Sequence, residues 1–247
     1  MAPSFNVVIK NTIVTQSMAA TTAKTTRIIF AVVTHTDEIS LQCTTSLLKL
    51  QQLAARRADL VMDFHIINSV GDALNMYSDG DYVVVVDARN GFSADFIFGA
   101  IDGGRDAVYG VYPLSQVDWE RVNARVQSVS SSEPMGHAGN VYNVVPEGSS
   151  MSRYIPIKSI KESKVMILRA SVIEQMVGEH TKTVKNGKPF HIIHFESSSD
   201  DELLNPDQTF FKALQRHCAV VADLEEQCTL SGSAQFAGCV GQRGFVR

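Results

Sequence analysis

Apolar residues along this chain come in two rhythms. Short unbroken runs stand at Arg27–Thr34 (RIIFAVVT), Leu60–Ile67 (LVMDFHII), Tyr82–Asp87 (YVVVVD) and Asp106–Pro113 (DAVYGVYP). Runs of this length, rich in Val and Ile, predict strands buried on both faces. Between them the spacing changes to that of a helix. Glu38–Arg57 carries Leu41, Leu47, Leu48, Leu50 and Leu53, with Asp37 as the expected N-cap. Ser93 is placed to cap a short helix over Ser93–Ile101, and Val117–Val126 is helical again. Strands alternating with helices predict a mostly parallel sheet covered on both faces, with sites at the C-terminal ends of its strands.

The second half is less regular. Ser128–Arg153 is rich in Ser, Gly and Pro and predicts a loop with at most one strand. Strands are predicted at Ser163–Arg169, Lys188–Phe195 and Cys218–Leu224, and helices at Ala170–Val177 and Pro206–His217. His191 and His194 are read as strand residues, and the acidic Asp200–Glu202 as a solvated loop. No internal repeat is visible. Residues 1–26 form an extension and linker, in which Phe5–Val14 has the alternation of an added strand, and residues 27–247 form a single domain.

Composition narrows the function. The 247 residues are 45% hydrophobic, enough for a sizeable core. A net charge of −4 offers no basic face for nucleic acid. No apolar run has the length of a membrane span, and the N-terminus lacks the pattern of a signal peptide. Cys43, Cys218, Cys228 and Cys239 form no C-x-x-C pair and stand at no zinc-like spacing to His, so reduced thiols in a cytoplasmic setting are expected. The candidate chemistry lies at Tyr82–Phe92, where a valine run ends on Asp87 and the next charge is Arg89. An acid closing a buried strand needs a partner or a ligand.

Several segments in a fixed order carry a resemblance. They are FAVVTHT with TTSLLKLQQL, then VVVVDARNGF, DAVYGVYPLSQVDWERV, KVMILRASVIEQM, LLNPDQTFFKAL and LSGSAQF. Together they span about Arg27 to Gly238 and resemble glycosyltransferases of the GT-A fold, in a group common in phages, large viruses and some bacteria. The resemblance implies an α/β, Rossmann-like fold with a mixed sheet flanked by helices. It implies a nucleotide sugar as donor, bound by Asp87 and Arg89 with Thr34 and His35 near the base. Asp207 would be the general base toward a hydroxyl acceptor, and Tyr112 and Trp119 would line the acceptor pocket. A viral relationship would put the protein in host cytoplasm or in a virion.

The chain departs from that pattern where the family holds its divalent metal. Arg89 replaces the second Asp of Asp-x-Asp, and Leu230 replaces a late His, so no metal is expected. Pro206 replaces a Glu before Asp207, and Lys161–Lys164 replaces a Gly-rich entry to the next strand. Two readings follow. In one, the guanidinium of Arg89 neutralises the leaving diphosphate and sugar transfer is metal-independent. In the other, a GT-A scaffold without activity serves binding or assembly, with residues 1–26 as an arm toward a protein partner.

Overall fold

The computed structural model describes residues 25–36, 38–127, 139–148, 152–180, 184–185, 188–189, 206–226, 228–231 and 236–237. The predicted runs become β1 (Thr26–Val33), β2 (Leu60–Ile67) and β3 (Tyr82–Asp87), with α1 (Leu41–Ala54) and the short α2 (Val70–Leu74) between them. After β3 come β4 (Asn90–Gly91), α3 (Ala94–Asp102), β5 (Ala107–Gly110), β6 (Pro113–Val117) and α4 (Trp119–Gln127). The second half holds β7 (Asn140–Tyr142), β8 (Val144–Pro146), β9 (Tyr154–Ile160), β10 (Val165–Arg169) and α5 (Ala170–His180). Short strands β11 (Val184–Lys185) and β12 (Lys188–Pro189) precede α6 (Pro206–Gln215), β13 (Val220–Asp223), β14 (Thr229–Leu230) and β15 (Phe236–Ala237).

Eight strands form one sheet in the order β2-β1-β3-β10-β5-β13-β9-β8. β1 runs parallel to β2 and β3, and β13 runs parallel to β5. β10 is antiparallel to both β3 and β5, β9 to β13, and β8 to β9. The sheet is therefore mixed rather than mostly parallel. The causes are β10, which enters between β3 and β5 from the opposite direction, and β9, which runs against β13.

The sheet has an apolar layer on each face. On one side Phe30, Val84, Val86, Val108 and Ile167 meet α1 and α3 through Cys43, Leu50, Phe96 and Ile97. On the other, Ile29, Val83, Val85 and Tyr109 meet α2, α5 and α6 through Leu74, Ile173, Met176, Phe211 and Leu214. Val83 to Val86 are fully buried on alternate faces, which is why their run is unbroken. The architecture is thus mixed α/β and Rossmann-like, with helices on both faces.

Three local expectations change. The cap of α1 is Ser40, whose Oγ accepts the Cys43 N–H at 3.2 Å; Asp37 lies outside the described residues. Ser128–Arg153 contains two strands, β7 and β8, rather than one. Strand β9 was hidden in the sequence by Pro156 and Lys158, which break the apolar run of Ile155, Ile157 and Ile160. The predicted strand over Lys188–Phe195 is described only at β12, and His191, His194 and Asp200–Glu202 lie outside the described residues, as do residues 1–24. Among the described residues no helix is long and apolar enough to cross a membrane.

Candidate functional site

Because β1, β3, β5 and β13 point the same way, Val33, Asp87, Gly110 and Asp223 end together along one edge of the sheet. β10 runs in the opposite direction, so the segment that feeds it, Lys161–Lys164, arrives at the same edge. This convergence builds the site from sequence-distant pieces.

Asp87 closes β3 and its side chain is only 10% exposed. Its backbone N–H donates to Lys164 O at 2.8 Å. Its Oδ1 accepts the Arg89 backbone N–H at 2.9 Å and Arg89 Nε at 3.1 Å, and its Oδ2 accepts Arg89 Nη2 at 3.3 Å. The buried acid is thereby paired, as burial requires. Arg89 itself is 55% exposed. Two of its nitrogens face Asp87, and Nη1 has no partner among the described residues. Hydrogen bonding to Asp87 raises the Arg89 pKa further, with smaller contributions from Glu162 and Tyr112.

The turn after Asp87 is held by α1 and β14. Ser40 N–H donates to Ala88 O, Ser231 N–H donates to Arg89 O, and Leu230 pairs with Asn90. Gly91 fits only without a side chain, since a Cβ would stand 2.6 Å from Thr229 Oγ1. Arg89 and Leu230, the two positions where the resemblance puts metal ligands, do come near each other: Arg89 immediately precedes β4, and Leu230 ends β14, whose next residue, Ser231, bonds to the Arg89 carbonyl. Their chemistry does not fit a divalent cation. One is a cation, and the other is an apolar side chain buried in the core layer that also holds Phe92 and Cys228. No cluster of three or more His, Cys, Asp or Glu that could hold a metal occurs among the described residues.

The Lys161–Lys164 segment is clamped from beneath. Asn143, fully buried, accepts the Tyr112 N–H at 2.9 Å through Oδ1 and donates Nδ2 to Gly110 O at 3.0 Å; its carbonyl accepts the Lys161 N–H at 2.7 Å. The Tyr112 hydroxyl accepts the Lys164 N–H at 3.2 Å, and the Ser163 hydroxyl donates to Tyr109 Oη at 3.3 Å. Burial raises the pKa of both tyrosines, so both remain neutral. Lys164 Nζ stands 2.7 Å from Glu162 Oε2.

Asp207, in the first turn of α6, joins the same place. Burial pushes its carboxyl above the ordinary value, opposed by the Ser163 backbone N–H that it accepts and by the charge of Lys164, while Glu162 pushes it further up. A half-buried carboxylate with a raised pKa beside a lysine can take a proton from a hydroxyl.

The other predicted residues fall differently. Thr34 follows Val33, the register partner of Asp87, and its hydroxyl donates within its own turn to Thr36 O and Glu38 O while accepting the Thr36 N–H. It organises the turn; His35 beside it is exposed. Tyr112 is fully buried and supports Lys164 from within, so it presents no ring to a pocket. Trp119 opens α4 and is 68% exposed. These two aromatics do not line one acceptor pocket, because one is core and the other surface.

Asn143, Ser163 and the Glu162–Lys164 pair were not expected to bear on the site. Only the unusual composition of Lys161–Lys164 hinted at them. At the same edge Asp223, fully buried, accepts Arg153 Nε at 3.0 Å and Nη2 at 2.8 Å, along with the Glu225 and Glu226 N–H groups. Glu226 also accepts the Ser93 hydroxyl. These groups saturate one another and fix α3 to β13.

No protein-family model matches the chain, and no curated protein matches it. Among solved structures, one described as the crystal structure of A197 from STIV is similar at 12% identity, with a TM-score of 0.45 over 86% of this chain and 88% of that one.

Proposed function

We propose that this chain is a glycosyltransferase-like protein of GT-A type that binds a nucleotide sugar at the C-terminal edge of its sheet without a divalent metal. The observation that carries this reading is the Asp87–Arg89 pair. It puts a half-exposed guanidinium at the end of a buried strand, with Asp207 brought to the same edge by Lys161–Lys164. Arg89 Nη1 and the outer hydrogen of Nη2 are donors suited to a phosphate oxygen. The first turn of α1 opens beside Ala88 and adds its positive dipole end. In transfer, the bond from the sugar's anomeric carbon to the diphosphate breaks and one to the acceptor oxygen forms. Asp207 takes the hydroxyl proton, and Arg89 balances the charge on the departing nucleoside diphosphate. Thr34 and His35 lie at the neighbouring strand end, where this reading puts the base.

A second reading, a GT-A scaffold kept for binding or assembly, is favoured by one observation. Both carboxylate oxygens of Asp87 are already held by Arg89, which competes with a ribose hydroxyl. The test is release of nucleoside diphosphate from a panel of nucleotide sugars in chelator, with wild type and Asp207→Asn. Release that the substitution lowers about a hundredfold, the usual scale for a general base, supports transfer. Release from no donor by wild type leaves the scaffold reading.

A further inference from the structure

The acids at this edge pose a problem for any anionic ligand. Asp87, Glu162 and Asp207 face Arg89 and Lys164, and Lys161, at the start of the same segment, is exposed. The Glu162 carboxylate occupies the Lys164 ammonium, so a diphosphate has to compete with it there. An acid has to give way.

Glu162 is the one built to do so. Asp87 is held by three hydrogen bonds from Arg89 and is buried, and Asp207 accepts a backbone N–H. Among the described residues Glu162 is held by Lys164, whose ammonium stands 2.7 Å from its Oε2. The Glu162 side chain is 34% exposed, so its carboxylate can turn to water when a stronger acceptor takes the ammonium. Lys164, in contrast, is fixed at its backbone, through its N–H to Tyr112 and its carbonyl to the Asp87 N–H. Only the end of its side chain is free to change partner.

We propose that Lys164 and Arg89 form a diphosphate-binding pair, and that the Glu162 carboxylate occupies the anion's place until the ligand displaces it. The inference rests on the proposed nucleotide-sugar reading for its ligand class, and it adds two residues and a built-in competitor to that site. Glu162 then sets the affinity threshold: weak anions fail to displace it, and a diphosphate with several charged oxygens succeeds.

The probe is inorganic pyrophosphate, titrated calorimetrically in chelator at low salt. Glu162→Gln is expected to tighten binding about tenfold, which is about 1.4 kcal/mol. Lys164→Met is expected to weaken it at least as much. A purely structural role for the ion pair makes both substitutions neutral or both harmful; unchanged circular dichroism for each variant confirms that the fold is retained. Tighter binding by Glu162→Gln, or binding by that variant where wild type shows none, supports the proposal. Equal or weaker binding by Glu162→Gln overturns it, as does absence of binding in both proteins. The functional reading fails separately. Pyrophosphate binding with these signs but no nucleotide-sugar binding leaves the anion site standing and removes the transferase. Nucleotide-sugar binding indifferent to both substitutions does the reverse.

Discussion

At the scale of single side chains, Asp87 and Asp223 pose one problem and solve it in two ways. Each is an acid that closes an apolar strand. Asp87 takes an arginine two positions away, so its pairing can be read along the chain. Asp223 takes Arg153, 70 residues distant, and the pattern of residues around it gives no hint of that partner. Arg153→Ala leaves Asp223 charged and buried, and a loss of about 3–5 kcal/mol in urea unfolding is expected; a loss under 1 kcal/mol contradicts this role. Asp207 is the converse case, a group that burial makes costly to ionise. Its folded pKa is raised, so the folded state holds the proton more tightly than the unfolded chain. The stability it contributes is full below the unfolded carboxylate pKa and is lost as pH rises through the folded one. Asp207→Asn should therefore raise the melting temperature relative to wild type at pH 7, with the gain vanishing toward pH 3. The same variant should lose transfer activity. A melting temperature lowered at pH 7 counts against burial as the dominant influence.

At the scale of elements, most of β1, α1, β2, β3, α3 and α6 is legible in the sequence, because each keeps one periodicity over its length. The direction of β10 is not legible. Val165–Arg169 reads as a strand either way, and only pairing with β3 and β5 decides that it runs against them. That one reversal matters most for the site, since it carries Lys161–Lys164 to the edge where Asp87 ends. β9 was missed for a related reason: its Pro156 looks like a strand breaker, yet its carbonyl still accepts the Glu147 N–H. The packing of β10 against β5 leaves no room at Gly110, where a Cβ would lie 2.6 Å from Val165 Cγ1 and 2.8 Å from Cys228 Sγ. Gly110→Ala is expected to cost about 1–3 kcal/mol by overpacking, measured by thermal or urea unfolding. An unchanged midpoint contradicts this contact.

At the scale of the whole molecule, the sheet has two apolar faces and one edge where the charged side chains of the candidate site gather. The described thiols are held protonated. Burial, with the charge of Asp87 adding to it, pushes Cys43 up to about 12; burial pushes Cys218 to about 11 and Cys228 higher still. Native protein at pH 7.5 should leave Cys43 and Cys228 unalkylated by iodoacetamide for as long as the unfolded chain takes to react fully. Prompt labelling of either, read by peptide mass, contradicts their burial. The edge itself was half legible. Asp87, Arg89 and Asp207 stand out as charges at element ends, whereas the Asn143 and tyrosine supports and the Glu162–Lys164 pair depend on contacts between distant segments.

The most direct test of the central claim is calorimetric titration of wild type and Arg89→Ala with a panel of nucleotide sugars, once with Mn²⁺ and once with chelator. Binding that is indifferent to chelator and lost in Arg89→Ala is the expected result, with the guanidinium serving where a metal would. Binding that requires Mn²⁺, or that survives loss of Arg89, contradicts it, and binding of no donor under either condition leaves only the scaffold.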